Sequence, residues 1–481
     1  MVQEAVATTA RRVVKNTGAL LVGNVFNRFC SLIFWVITAR YIGASQFGKF
    51  SFALSFAISF LVLSELGFNL IGVREVAADK SLAGKYLGNI AILKLLVLVV
   101  LLAAVSLVIT LLDYPSDTTK TVYIISFSMF FTHLANSLRW SFHAFQKMEY
   151  DTLVNAASGI LLLSLCFVVL YSGGRLIGLA LAHCAVSIFI FCLILFITVL
   201  RFAKPKFEID LKLWKSLIPA AIPIGLVTIL VAVRANVDTV MLSLMKSDDP
   251  VGWYSAGVKL VKVLELIPNM FTLALFPVMV EFYKNSADSL GDVFKKAMKY
   301  MFLLALPIAV GTTILADKII FMVWGPDFLE SARVLQVLVW KGALFFLITT
   351  TCWCLYAIKK QKIPMCIYGA GMIINVTINL ILIPRFSYIG VAVAGVITES
   401  IIAALLFFFI FQNIKVSPFH SQLFKIITAT LFMGAVARLI RDFNVIFVIL
   451  VSMVFYAAVL FGWKVLDYKE LRQLIRARAF Q

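Results

Sequence analysis

The stretch YLGNIAILKLLVLVVLLAAVSLVITLL, residues 86–112, carries one charge, Lys94, in 27 positions. Wound as a helix at about 1.5 Å per residue it reaches roughly 40 Å, more than a hydrocarbon core of about 30 Å. Comparable runs occupy residues 153–173, 176–200, 388–412 and 443–463. Of 481 residues, 62% are hydrophobic and 14% charged, with a mean hydropathy of +1.00. A soluble domain is about 25% charged, so this chain has too little polar surface to cover a water-facing globule. In hydrocarbon the backbone must satisfy itself, and runs of this length do so as helices; barrel strands would be short and weakly apolar. The sequence predicts an all-α polytopic membrane protein.

About fourteen spans are expected, near 17–39, 47–72, 86–112, 121–143, 153–173, 176–200, 216–245, 251–282, 293–315, 334–357, 364–384, 388–413, 421–440 and 443–464. The first run is too long, and lacks the small-residue site, for a cleaved signal. Lysine and arginine concentrate in alternate loops: Arg11, Arg12 and Lys15; Arg74, Lys80 and Lys85; Lys147; the stretch 201–215; Lys359, Lys360 and Lys362; and the tail beyond Lys464. The opposite loops are short and hold acids such as Asp113, Asp117, Asp248 and Asp249. Cations stay inside, so both termini are expected in the cytoplasm of a prokaryote, the chain crossing its plasma (inner) membrane many times. The same bias accounts for much of the net charge of +19. Distributed loop by loop, the basic residues form no stripe for nucleic acid.

Seven cysteines (Cys30, Cys166, Cys184, Cys192, Cys352, Cys354 and Cys366) lie in apolar spans and read as small hydrophobes, with no disulfide, metal or other cofactor expected. The chain also repeats itself. FGKFS at 47–51 matches VGWYS at 251–255, and Phe130, Phe131, Gln146 and Lys147 map by one offset onto Phe345, Phe346, Gln361 and Lys362. Two six-helix lobes follow, 1–200 and 216–414, joined by the basic cytoplasmic linker RFAKPKFEIDLKLWK at 201–215. Two further helices (415–466) and a basic cytoplasmic tail (467–481) complete the chain. Halves of six spans enter in the same direction, the transporter arrangement of two lobes about a central cavity. Prolines occur only in the second lobe's spans, where Pro219 and Pro223 are expected to bend the seventh.

Charges inside the spans are costly and mark function. The cations are Arg28, Lys94, Arg139, Arg234, Lys259, Lys262 and Lys341; the acids are Glu65, Asp238, Glu265 and Glu399. Arg234 with Asp238, and Lys262 with Glu265, stand one helical turn apart, as local ion pairs do. Lys94 sits early enough in its span to snorkel to an interface. Arg28 has only Asn24, Asn27 and Ser31 near it, and Arg139 only His133, Asn136 and His143. Uncompensated cations belong in a hydrated cavity awaiting an anion. Arginine matches phosphate bidentately and neighbouring amides suit sugar hydroxyls. The expected binding set is Arg28, Asn24, Asn27, Arg139, His133, Asn136, Arg234 and Lys341. Glu65 and Asp238 are expected to balance charge or carry a coupling proton or sodium.

YIGASQFGKFSFALSF and LGFNLIGVREVA within 41–77 resemble the start of polysaccharide flippases of the Wzx type. RANVDTVMLS and DPVGWYSAGVKLVKVLELIPNMFTLALFPVMVEF within 234–282 resemble their seventh and eighth spans, and MVWGPDFLESARVLQVL at 322–338 the loop before their tenth. The resemblance is to the multidrug/oligosaccharidyl-lipid/polysaccharide exporter superfamily, which holds the MurJ flippases and the MATE exporters. It implies two six-helix lobes, two extra helices and a cationic cavity that opens to either side in turn. The implied function is translocation of an undecaprenyl-diphosphate-linked oligosaccharide from cytoplasmic to outer leaflet, for O-antigen, capsule, lipopolysaccharide or exopolysaccharide synthesis. A polymerase and co-polymerase of the same pathway, and membrane lipids, are the implied partners. By position Arg28 matches the family's cavity arginine. The several arginines of MurJ-like first and second spans are absent here, which argues against lipid II as substrate.

Two alternatives meet objections in the sequence. A MATE-like exporter of cationic small molecules calls for a carboxylate-rich lobe, whereas these spans are net cationic. A membrane polymerase or glycosyltransferase would carry a large external loop or a DxD motif, and neither is present. The chain is therefore not expected to be an enzyme.

Overall fold

The computed structural model describes the backbone of residues 2–285, 287–414 and 422–465, with side chains from residue 23 onward except at 24, 224, 227, 285, 287 and 288. The Asn24 side chain and the tail 467–481 lie outside the described residues. Among these residues there is no strand. Fourteen α-helices follow one another: α1 (Val2–Leu61), α2 (Phe68–Ala78), α3 (Ala83–Leu111), α4 (Ser116–Ala144), α5 (Met148–Tyr171), α6 (Leu176–Arg201) and α7 (Leu211–Met245), then α8 (Asp248–Leu264), α9 (Leu266–Asn285), α10 (Ala287–Trp324), α11 (Ser331–Ala357), α12 (Lys362–Ile414), α13 (Leu423–Leu439) and α14 (Val445–Gly462). The chain forms two compact units, Met1–Gly252 and Trp253–Gln481.

Helices and spans do not correspond one to one. Ten stretches among the described residues are long and apolar enough to cross a membrane. Two of them, Val25–Ser64 with 40 residues and Lys362–Ile414 with 53, are long enough for two crossings. The first is broken at Gly43 (φ 75°) and the second at Ser387 (φ 50°). α4, made polar by Thr132, His133, Asn136 and Arg139, and α13, with 17 residues, complete the fourteen.

The expected second span is not continuous. α1 ends at Leu61, Glu65 leaves helical geometry and Gly67 is left-handed (φ 86°) before α2 begins. The expected eighth span bends at Glu265, because Pro268 has no N–H for the Leu264 carbonyl. The turns after α4 and α11 share one geometry, at an offset of 213 residues and not the 215 that maps Gln146 onto Gln361. After α4, Gln146 is left-handed and Lys147 N–H bonds the Phe142 carbonyl at 2.8 Å; after α11, Lys359 is left-handed and Lys360 N–H bonds the Leu355 carbonyl at 2.9 Å.

In the first unit, small residues let α1 and α5 touch. A Cβ on Gly159 would lie 3.0 Å from the Cys30 Cβ, and one on Gly23 would lie 2.9 Å from the Thr152 methyl. Residues 203–210 of the basic linker dock on α3. Lys206 N–H bonds the Gly84 carbonyl at 2.8 Å, and a Cβ on Gly88 would sit 1.8 Å from the Lys206 oxygen. The buried Asn89 accepts from the Asp210 N–H and the Trp214 indole. Where α1 passes α7 and α8, Gly48 lies against the Asp248 carbonyl and Gly252 against that of Ala44, either Cβ falling 2.1 Å from oxygen. Lys49 there bonds Asp117 at 2.6 Å and stands 3.7 Å from Asp248.

The second unit is built on an apolar core from α10, α11 and α12, including Phe294, Phe302, Phe346 and Ile402. α14 joins it through Tyr456, whose hydroxyl donates to the Leu303 carbonyl at 3.1 Å. An apolar cavity of about 510 Å³ lies between α9, α10, α13 and α14, lined by residues such as Leu304, Pro307, Met433, Met453 and Leu460.

Candidate functional site

Arg28 projects from α1 as an exposed side chain and makes no ion pair or hydrogen bond with any described residue. Its neighbour Asn27, about 100° around the helix, points the other way, into the first unit. There Asn27 donates to the Asn155 carbonyl at 2.9 Å and accepts from Ser31 at 3.2 Å.

Asn27, Asn136 and Arg139 line one cavity of about 240 Å³ enclosed by α1, α4, α5 and α6. On α4 its wall includes Met129, Thr132, Asn136 and Arg139, spaced three and four apart on one face. α5 adds Asn155 and Ser158, and α6 adds His183 and Ser187. Ser128 ties the α4 and α6 walls together, bonding His183 Nδ1 at 2.8 Å and Ser187 at 2.7 Å.

Two expectations for this region are corrected. Arg139 is not uncompensated: its Nε bonds the Asp151 carboxylate, and its Nη2 donates to Asn155 Oδ1 at 2.6 Å. His143 stands 3.8 Å from the other Asp151 oxygen. The pairing comes from the α4–α5 hairpin, whose turn places residues 139 and 151 side by side. Reading the helical face of α4 alone misses Asp151 and Asn155; the symmetric hairpin about residue 145 was the signal for them. His133 does not join the cavity. One position past Thr132, it turns to Glu65, with Nδ1 3.1 Å from the carboxylate.

Glu65 also accepts from Lys94 at 2.8 Å and from Asn69 at 3.2 Å. Lys94 is fully buried, so it does not snorkel. The break at Glu65 brings the carboxylate to it, and the two charges neutralise each other. On α7 Arg234 is half-buried and Asp238 buried, one turn apart. In the second unit Lys341 is half-buried and lies along α12, its ammonium 3.3 Å from where a Cβ on Gly395 would be, a turn before the buried Glu399. Arg234 and Lys341 both have interaction partners, so neither is an isolated cation. Of the four cations in the expected binding set, Arg28 alone has no partner among the described residues.

A family model described as polysaccharide biosynthesis protein matches residues 13–283, and one described as lipid II flippase MurJ matches residues 251–459. The chain belongs to the polysaccharide biosynthesis protein family. The chain is similar to the probable low-salt glycan biosynthesis flippase Agl15 of Haloferax volcanii, 20% identical over 41% of this chain and 42% of that one. It is 25% identical to the probable lipid II flippase MurJ of Thermotoga maritima, over 45% of this chain and 46% of that one. It spans about half the length of the curated relatives it matches. A solved structure of lipid II flippase MurJ in an inward closed conformation superposes with a TM-score of 0.79 at 18% identity, over 94% of this chain and 99% of that one. At that identity the likeness establishes the fold.

Proposed function

We propose that this protein is a flippase for a lipid-diphosphate-linked, undecaprenyl-type oligosaccharide. It moves the repeat unit from the cytoplasmic to the outer leaflet of a prokaryotic plasma membrane, for O-antigen, capsule or exopolysaccharide synthesis. The observation that carries the reading is Arg28, exposed and unpaired on a membrane-spanning helix. A guanidinium without a carboxylate partner is matched to a diphosphate, which it can grip bidentately. The apolar cavity of about 510 Å³ in the second unit suits an isoprenoid segment.

In this reading two lobes, 1–200 and 216–414, rock about a central cavity, with both termini and the linker 201–215 in the cytoplasm. With the cell interior negative, outward transfer of two negative charges across the whole field gains roughly 5 kcal/mol per 100 mV. Glu65 serves to balance Lys94. Asp238 is the remaining carboxylate for a coupling proton or sodium.

A bacterial host lacking its own flippase tests the proposal. Sugar-lipid accumulates on the cytoplasmic face of the deletion strain, and this chain restores polymer whereas Arg28→Ala at equal protein level does not. Translocated but unpolymerised units in the strain would point to a polymerase. Normal polymer with Arg28→Ala would remove Arg28 from the site.

A further inference from the structure

The cavity between α1, α4, α5 and α6 is polar on one side, yet two of its polar side chains have nothing to bond. Asn136 and Ser158 are half-buried, line the cavity and make no hydrogen bond with any described residue. Both can be reached from the cavity, where polar groups so placed meet ordered water or a ligand. The cavity's arginine is already taken by Asp151 and Asn155. A phosphate entering here would meet the Asp151 carboxylate beside the guanidinium, and like charge would oppose it.

We propose that this cavity is a saccharide subsite that holds one sugar ring of the translocated glycan through neutral hydrogen bonds, while Arg28 takes the diphosphate. The inference rests on the flippase reading. The amide of Asn136 and the hydroxyl of Ser158 both donate and accept, as sugar hydroxyls do. Met129, Leu162 and Ile190, which line the same cavity, offer an apolar surface for the ring's C–H face. About 240 Å³ falls below the ~300 Å³ at which drug-sized pockets begin and holds roughly eight waters at liquid density, the scale of a single ring. The Ser128–His183–Ser187 bonds fix the wall in advance, so little ordering is needed on binding. Asn136 and Ser158 are thereby the residues that set which sugar is accepted.

The test uses the purified full chain in lipid nanodiscs with two soluble probes, methyl glycosides of common hexoses and N-acetylhexosamines, and inorganic pyrophosphate. Wild type is expected to bind at least one glycoside, and Asn136→Ala or Ser158→Ala to weaken it about tenfold, the effect of one lost hydrogen bond. An unchanged melting temperature and monodisperse elution establish that each variant is folded, and Asn136→Gln serves if the alanine variant is not. No glycoside binding by wild type means that the cavity holds water only, and overturns the assignment. So does equal affinity in wild type and variants. Failure of wild type to bind pyrophosphate, whatever the glycoside result, would instead overturn the flippase reading.

Discussion

A buried ammonium is destabilising by several kcal/mol unless a partner compensates it, and for Lys94 that partner is Glu65. Lys94→Met alone should therefore leave the carboxylate with only His133 and Asn69 and destabilise the protein by up to about 3 kcal/mol. Adding Glu65→Gln should restore most of that loss. Unfolding of the three purified variants checks this, and additive losses would show that the pair is not coupled. The sequence supplied both charges but not their partnership: they are 29 residues apart, and the connection passes through the left-handed Gly67, within a span that reads as unbroken. Arg139 was legible for the same reason that Asp151 was not. A mid-span arginine stands out against apolar neighbours, whereas an aspartate near the start of the next helix reads as a loop acid until the hairpin folds it back. Arg28 stood out in the sequence, and no described residue pairs with it.

At the scale of elements, length and composition located the helices, and local backbone chemistry decided where they break. Gly43 and Ser387 break α1 and α12 in the gaps 40–46 and 385–387 between expected spans, whereas the break at Glu65–Gly67 falls inside an expected span and was not visible in the pattern. The linker is a second case, visible as a basic stretch but not as something docked on α3. Gly88→Ala would drive a methyl into the Lys206 carbonyl, where such overpacking costs about 1–3 kcal/mol. A lower melting temperature and faster tryptic cleavage after Lys206 are expected; wild-type cleavage would mean that the linker is not held there. Asp210 adds a pH dependence. The Lys85 ammonium, followed by the N–H groups of Leu213 and Lys212, holds its carboxyl below the usual carboxylate range. A carboxyl depressed on folding stabilises above its unfolded pKa of about 4, and that contribution is lost as pH falls through the depressed value. The melting temperature should thus decline below about pH 4 and decline less steeply in Asp210→Asn. Equal slopes would remove Asp210 from the docking.

At the scale of the whole molecule, the family and the fold agree with the architecture that composition predicted: an all-α chain of about fourteen spans. What composition could not supply was which cations remain free, since that depends on contacts between helices far apart in sequence. With Lys94 and Arg139 neutralised, the exposed Arg28 is the cation left to meet an anionic substrate. The most direct test of that role is transport by the purified chain in vesicles loaded with a fluorescent polyprenyl-diphosphate-linked saccharide, under an imposed potential. Wild type should bring the saccharide to the opposite leaflet, where an impermeant quencher reaches it. Arg28→Ala should slow that step by about 10- to 100-fold, the worth of a charged hydrogen-bonded contact of ~1.5–3 kcal/mol. Transport at the wild-type rate by Arg28→Ala would contradict the account.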